Sequence, residues 1–282
     1  EEDPRPGILG SGGPDLFGYR WKDSDEPGGP SFAWTDISTI GTPITALTGD
    51  DQNSGPFPIG FNFPFYGNSF STVRVCTNGW LSFTSTSTDL GNSPLPNTGE
   101  PENLVAAFWD DLHFRGTVRA HYYNDGTRFI VQYTDVDRFS TSEQPSPAHL
   151  TFQVILHPSG KITIQYLTMS GFMTSNTVGI QNSTRNDGLT VAHNTAYVHN
   201  NMAVEFRTPV DFLSVSPSSG TLAPNGGMVD LDVRIDATNL IGGDYAASVD
   251  LLTNDPARGL ISVPLDLHVT GIPDIDVTPG SV

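Results

Sequence analysis

The chain is predicted to be all-β, and three observations carry that reading. Apolar and polar residues alternate with a period of two over several successive hairpins, as on antiparallel strands with one face on a core. Gly (29) and Pro (22) are abundant and punctuate those runs with turns. No long run of Ala, Glu, Lys and Leu offers a helix of useful length.

Residues 1–15, EEDPRPGILGSGGPD, are polar and rich in Gly and Pro and read as a flexible arm. Phe17 to Trp21 alternate aromatics with small or charged residues, which predicts a strand. Lys22 to Pro30 carry every turn signal, and Phe32 to Ile37 resume the alternation. The richest stretch runs from Gly60 to Leu112. It holds Val73 to Phe83, with Asn78-Gly79 between two strand-like runs as a hairpin signal, and ends in Phe108-Trp109-Asp110-Asp111. Residues 84–103 are mostly Ser, Thr, Asn, Pro and Gly and predict a long surface loop.

From Val118 onward the hairpins are regular. Val118 to Tyr123 turn at Asn124 to Thr127 into Phe129 to Tyr133, and Leu150 to Leu156 reverse at His157 to Lys161 into Ile162 to Tyr166. Shorter strands are expected near 178–182, 188–192 and 203–207. A second unit then begins, with strands at Phe212 to Pro217, Met228 to Ile235, Tyr245 to Leu252 and Leu260 to Val269, which suit a small immunoglobulin-like sandwich. The predicted organisation is an arm over 1–15, an antiparallel β-sandwich over 16–209 and an immunoglobulin-like domain over 210–271. Residues 272–282 repeat the plan of Phe212 to Gly220, and read as the first strand of a further repeat or as an assembly strand.

Composition narrows the function. The formal net charge of −18 repels nucleic-acid phosphates and anionic lipid, so neither nucleic-acid binding nor membrane insertion is expected. No stretch approaches the roughly 20 apolar residues of a membrane helix. The start Glu1-Glu2-Asp3-Pro4 reads as that of a mature or excised chain. Cys76 is the single cysteine, which excludes an internal disulfide, and its apolar strand predicts a buried hydrophobe rather than a reactive thiol.

The carboxylates are the candidate chemistry. Asp23, Asp25 and Glu26 lie in a Gly/Pro loop of the kind that can offer oxygen ligands to Ca2+, although the EF-hand spacing is missing; a solvated acidic loop is the alternative. Asp50 and Asp51 form a similar candidate. Asp110 and Asp111 come directly after a tryptophan, but neighbours on a strand face opposite ways, so they do not form a glycosidase pair by themselves. One is expected to cap turn amides and the other to ligate a cation. The seven histidines form no HExxH or Cys/His pattern, and no nucleophile elbow, Walker loop or dinucleotide fingerprint occurs, so no enzyme is expected. Trp21, Trp34, Tyr66 and Trp80 could stack on sugar rings, although on alternating strands such residues belong more often to a core.

Three signatures, Phe63-Pro64-Phe65-Tyr66-Gly67, Val75 to Phe83 and Val105 to Leu112, together resemble a β-sandwich module of secreted bacterial proteins, often attached to subtilisin-like peptidases or surface proteins. The NG-aromatic-x-S-F and A-F-W-D-D pieces are also distantly similar to the nidogen-type extracellular domain. Val215 to Leu222, Gly243 to Tyr245, Thr253 to Pro256 and Val263 to Leu265 resemble the immunoglobulin-like repeats of surface-anchored proteins. The resemblance implies an extracellular or cell-surface, non-catalytic module for adhesion, surface display or assembly, and it brings no catalytic residues with it. A carbohydrate-binding accessory module and a filament subunit that assembles through 272–282 are the alternatives, with extracellular protein or glycan as partner.

Overall fold

The computed structural model describes residues 10–139, 148–208, 212–217, 219–224, 226–237, 243–255 and 258–270. The chain divides into two compact units, Glu1–Pro209 and Val210–Val282. The described residues form strands, turns and loops without a helix, so the all-β class holds.

Fifteen strands build the described part of the first unit. They are β1 (Ser11–Gly12), β2 (Arg20–Asp23), β3 (Thr42–Pro43), β4 (Asn53–Phe65), β5 (Asn68–Cys76), β6 (Trp80–Ser82), β7 (Leu104–Trp109) and β8 (Leu112–His113). They continue with β9 (Ala120–Asn124), β10 (Phe129–Arg138), β11 (His149–Leu156), β12 (Ile162–Ser170), β13 (Thr177–Gln181), β14 (Gly188–His193) and β15 (Met202–Arg207). One sheet runs β1-β2-β15-β12-β11-β10-β9-β3, with β8 also against β10, and the other runs β14-β13-β7-β6-β5-β4.

The alternation seen in the sequence decides which side chains lie between the sheets. Phe129, Val131 and Tyr133 on β10, Leu150, Phe152 and Val154 on β11, and Ile162, Ile164 and Tyr166 on β12 pack with Phe63, Phe65, Val73, Val75, Leu81, Phe83, Val105 and Ala107 of the second sheet. Tyr133 stacks on Phe152 with ring centroids 4.5 Å apart. Two buried phenols join the layers directly: Tyr133 donates to the Cys76 carbonyl at 2.7 Å and Tyr166 to the Ala107 carbonyl at 2.7 Å. Complete burial pushes both phenol pKa values well up, so both remain donors.

Each sheet is covered on its outer face by a strap of irregular chain. Gln132, Gln153 and Gln165 stand opposite one another on β10, β11 and β12. Ala33 N–H donates to Gln165 Oε1 at 2.6 Å, Gln165 Nε2 returns a bond to Ala33 O at 3.0 Å, and Gln153 Nε2 reaches Thr35 O at 2.5 Å. Ile37 N–H donates to Gln132 Oε1 at 2.9 Å, and the Ile37 side chain is buried with Ile130 and Ile155. The expected strand at Phe32 to Ile37 is therefore an extended strap whose partners are glutamine side chains, because the backbone below it is already consumed by the sheet.

The second strap is the expected long loop, with fastenings the composition did not reveal. The long loop at 84–103 lies fastened over the second sheet, where Trp80 and Trp109 both donate their indole N–H to Asp89 O at 3.0 and 3.1 Å. Thr190 Oγ1 accepts from Leu95 N at 2.6 Å and donates to Leu95 O at 2.8 Å, and Gln181 Nε2 donates to Pro101 O at 2.7 Å. Leu95 closes a buried cluster with Cys76, Trp80, Leu104, Ala106 and Trp109.

The entry to the fold also differs from expectation. β1 pairs with β2, and Asp15 accepts from Gly18 N, Tyr19 N and the Tyr66 hydroxyl, so residues 10–15 are integrated in the sheet rather than an arm. Residues 1–9 lie outside the described residues. The first strand is shifted to Arg20–Asp23, and Phe17 instead packs on Tyr66 from the turn before it.

In the second unit, β16 (Leu213–Ser216) pairs with β17 (Asp232–Ile235) and β18 (Gly243–Leu252) with β19 (Leu260–Val269), both antiparallel. β17 is shorter than the expected Met228 to Ile235. Phe212 and Tyr245 meet with ring centroids 5.6 Å apart. The expected strand at 272–282 lies outside the described residues.

Candidate functional site

At one end of the first unit, three chain segments far apart in sequence bring acidic groups together. The first is the loop before β4. Thr48 N and Gly49 N both donate to Gln52 Oε1, at 2.8 and 2.7 Å, which curls the loop and throws Asp50 and Asp51 outward from it. Asp51 adopts φ 46°, a left-handed conformation that aspartate tolerates better than most residues. Thr77 ties this loop to the second segment by accepting from Gln52 N at 2.9 Å.

That second segment is the β5–β6 turn. Cys76 and Trp80 pair across Thr77, Asn78 and Gly79, a three-residue connection in which only Gly79 has positive φ, at 74°. A Cβ on Gly79 would lie 2.0 Å from the Phe108 carbonyl, so the residue is required by close approach as well as by conformation. Asn78 is fully buried and organises the site: its Nδ2 donates to Asp51 Oδ1 at 2.8 Å and to Thr88 O at 3.0 Å. Its Oδ1 accepts from Leu112 N at 3.0 Å.

The third segment is the end of β7, and here the paired aspartates diverge. Asp110 turns into the protein, where Arg138 holds it through Nε–Oδ2 at 2.5 Å and Nη2–Oδ1 at 2.9 Å. Asp110 Oδ1 also accepts from Asp111 N at 2.9 Å, and the guanidinium is covered by the Phe172 ring at 4.9 Å. Burial still pushes the Asp110 carboxyl up, against the lowering effect of Arg138. A carboxylate committed to a guanidinium in this way has little left to give a cation.

Asp111 points the other way, toward the loop. One carboxylate oxygen each from Asp50, Asp51 and Asp111 lie within 4.8 Å of one another. Asp50 Oδ1 and Asp111 Oδ1 are closed off from solvent and accept no hydrogen bond. Burial first, and then the charges of Asp50, Asp51 and Asp110, push the Asp111 carboxyl up to about 6. Asp50 is raised by burial and then by Asp51, with His113 and Arg115 acting in the opposite direction. An all-oxygen donor set of this kind matches hard divalent cations, Ca2+ above all, whose shell accommodates irregular geometry and can be completed by backbone oxygens and water.

The other predicted ligands are not brought together. Asp23 is fully buried, with Oδ1 accepting from Asp25 N at 3.0 Å and Glu26 N at 3.1 Å and Oδ2 from the Tyr197 hydroxyl. Asp25 pairs with His199 Nε2 at 2.8 Å, and Glu26 Oε1 accepts from Gly10 N at 3.3 Å. These acidic groups hold the turn closed. Among the described residues, the cluster of three or more metal-type side chains is Asp50, Asp51 and Asp111. Residue-by-residue reading missed Asn78 as organiser and Arg138 as the partner of Asp110. The available signals were the polar Asn78 within an apolar run and Arg138 at the end of a strand otherwise poor in basic residues.

Two of the histidines and the cysteine are engaged structurally. His149 pairs with Asp135 at 2.6 Å and His193 Nδ1 lies 3.0 Å from Thr177 Oγ1. Cys76 is buried, and that burial pushes its thiol up to about 12. Of the aromatics considered for sugar stacking, Trp80, Trp21 and Tyr66 are buried, and Trp34 stays half exposed on the first strap.

No solved structure matches the chain. A family model described as NIDO related matches residues 29–222, a span that contains the Asp50, Asp51 and Asp111 cluster, the Asn78-Gly79 turn and both straps. That span covers more than half of the 282 residues and agrees with the nidogen-type likeness of the NG-aromatic and A-F-W-D-D pieces: the chain belongs to the NIDO-related family.

Proposed function

We propose that the chain is a non-catalytic extracellular module for adhesion, surface display or assembly, part of a larger multi-domain secreted or cell-surface protein, and that Ca2+ rigidifies its loop end. The NIDO-related match supports the extracellular reading. The calcium reading is carried by one observation: Asp50, Asp51 and Asp111 converge from separate segments, and two of their oxygens are shut off from solvent with no donor. Like charges at that separation repel, and a bound cation turns the repulsion into attraction. The non-catalytic reading is supported by how the ionisable groups are spent, with Asp110 on Arg138, Asp23 on its own turn and Cys76 on the core.

Thermal melting tests the ion. Calcium at about 100 times its Kd adds about 2.7 kcal/mol, which for a unit of this size is a Tm rise of roughly 5–10 °C over the chelated protein. Asp51→Asn and Asp111→Asn should abolish that rise, and in chelator each should melt at or above the wild-type temperature because a repelling charge is gone. A melting curve indifferent to Ca2+ removes the ion from this reading.

A second reading, assembly by strand addition through 272–282, rests on the likeness of Ile275-Asp276-Val277-Thr278-Pro279 to Leu213-Ser214-Val215-Ser216-Pro217. It is also favoured by Val233, Ile235, Ile261 and Val263, which are 39–50 % exposed on strands of the second unit. Native mass spectrometry should show ladders that disappear when 272–282 is deleted; a monomer at all concentrations rejects it.

A further inference from the structure

We propose that Phe32 and Trp34 form a stacking platform for a neutral polysaccharide, a ligand assignment that rests on the adhesion reading above. The two residues sit at i and i+2 on the first strap, with rings inclined by 20° and centroids 6.4 Å apart. Both are half exposed, whereas Trp80 and Trp109 are fully buried and Trp21 is 7 % exposed. A pyranose ring offers an apolar C–H face, which stacks on the electron-rich face of an aromatic ring, while its rim of hydroxyls needs nearby hydrogen-bonding groups.

Three features fit that ligand. The strap is fixed before any ligand arrives, because Ala33, Thr35 and Ile37 are each bound to a buried glutamine of the sheet, so little ordering entropy is lost on binding. The indole N–H of Trp34, unlike those of Trp80 and Trp109, has no partner among the described residues and is available to a hydroxyl oxygen. The net charge of −18 disfavours uronic-acid and sulfated chains, which leaves neutral polysaccharides as the class.

Affinity electrophoresis through gels containing cellulose derivatives, β-1,3-glucan, mannan or soluble chitin derivatives tests this, with alginate as the anionic control. At least one neutral polymer should retard the protein and alginate should not. Trp34→Ala and Phe32→Ala should each weaken retardation about tenfold or more. Since Trp34 is the least buried of the four tryptophans, acrylamide quenching of wild-type fluorescence should be reduced by the retarding polymer, a readout that needs no variant. Retardation that survives the double substitution, unchanged quenching, or no retardation by any neutral polymer overturns the proposal. If the protein meanwhile keeps calcium-dependent attachment to protein-coated surfaces, the adhesion reading stands and the sugar assignment alone has failed.

Discussion

At the scale of single residues, the Asp110–Arg138 pair shows how a buried charge is held and why losing either partner is costly. Both side chains are at most 6 % exposed, with Nη2 hydrogen-bonded to Oδ1 and Nε in ionic contact with Oδ2. Removing one partner strands the other in a low-dielectric interior, which typically costs about 3–5 kcal/mol, whereas removing both together is often close to neutral. Arg138→Met should therefore lower stability by about that amount in urea unfolding, and adding Asp110→Asn should recover a large part of it. Additive losses in this double-mutant cycle would mean that the two side chains act independently. Asp111 N donates to the same Asp110 Oδ1 that Arg138 Nη2 holds, so the acidic cluster and the ion pair are one continuous arrangement.

At the scale of elements, the two straps explain where sequence reading succeeded and where it stopped. Hairpins built on local signals were legible: the Asn124 to Thr127 turn joins β9 to β10, and the His157 to Lys161 turn joins β11 to β12. The buried faces were readable from alternation, as on β11, where Leu150, Phe152 and Val154 point inward. The straps were not legible, because their partners are set by tertiary approach. Phe32 to Ile37 carries the period of a strand and differs only in receiving its hydrogen bonds from Gln132, Gln153 and Gln165. Glutamines interrupting three adjacent apolar strands in register were the available sign, and it becomes readable only once the register is known. Gln153→Ala should accordingly destabilise by about 1–3 kcal/mol, with hydrogen exchange rising at residues 33–37 while the amides of β10 to β12 stay protected. Equal loss of protection across those strands would show that the glutamines support the sheet rather than the strap.

At the scale of the whole molecule, the acidic site was half legible. Asp50, Asp51 and Asp111 were each identifiable as oxygen donors, but their convergence depends on a loop, a turn and a strand end separated by about sixty residues. The same sequence logic also proposed Asp23, Asp25 and Glu26, which the fold uses to close a turn, because loop composition does not reveal which oxygens meet backbone amides. The global charge has its own consequence. With 31 acidic and 13 basic residues, repulsion is spread over the surface. Raising NaCl from about 10 mM to about 500 mM shortens the Debye length from roughly 30 Å to under 8 Å, so in the presence of chelator the melting temperature should climb with salt. A fall would mean that exposed ion pairs such as Arg119–Asp135 outweigh the net charge.

The two phenols that cross the core have a mechanical meaning. Hydrophobic packing between sheets is non-directional and gives way gradually when one layer slides over the other. The bonds from Tyr133 to Cys76 O and from Tyr166 to Ala107 O are directional and start from 2.7 Å, so a lateral displacement of about 1 Å strains both at once. They act as shear pins: the layers can be peeled apart strand by strand from an edge, but a pull along the sheet plane meets two fasteners in the core of the first unit.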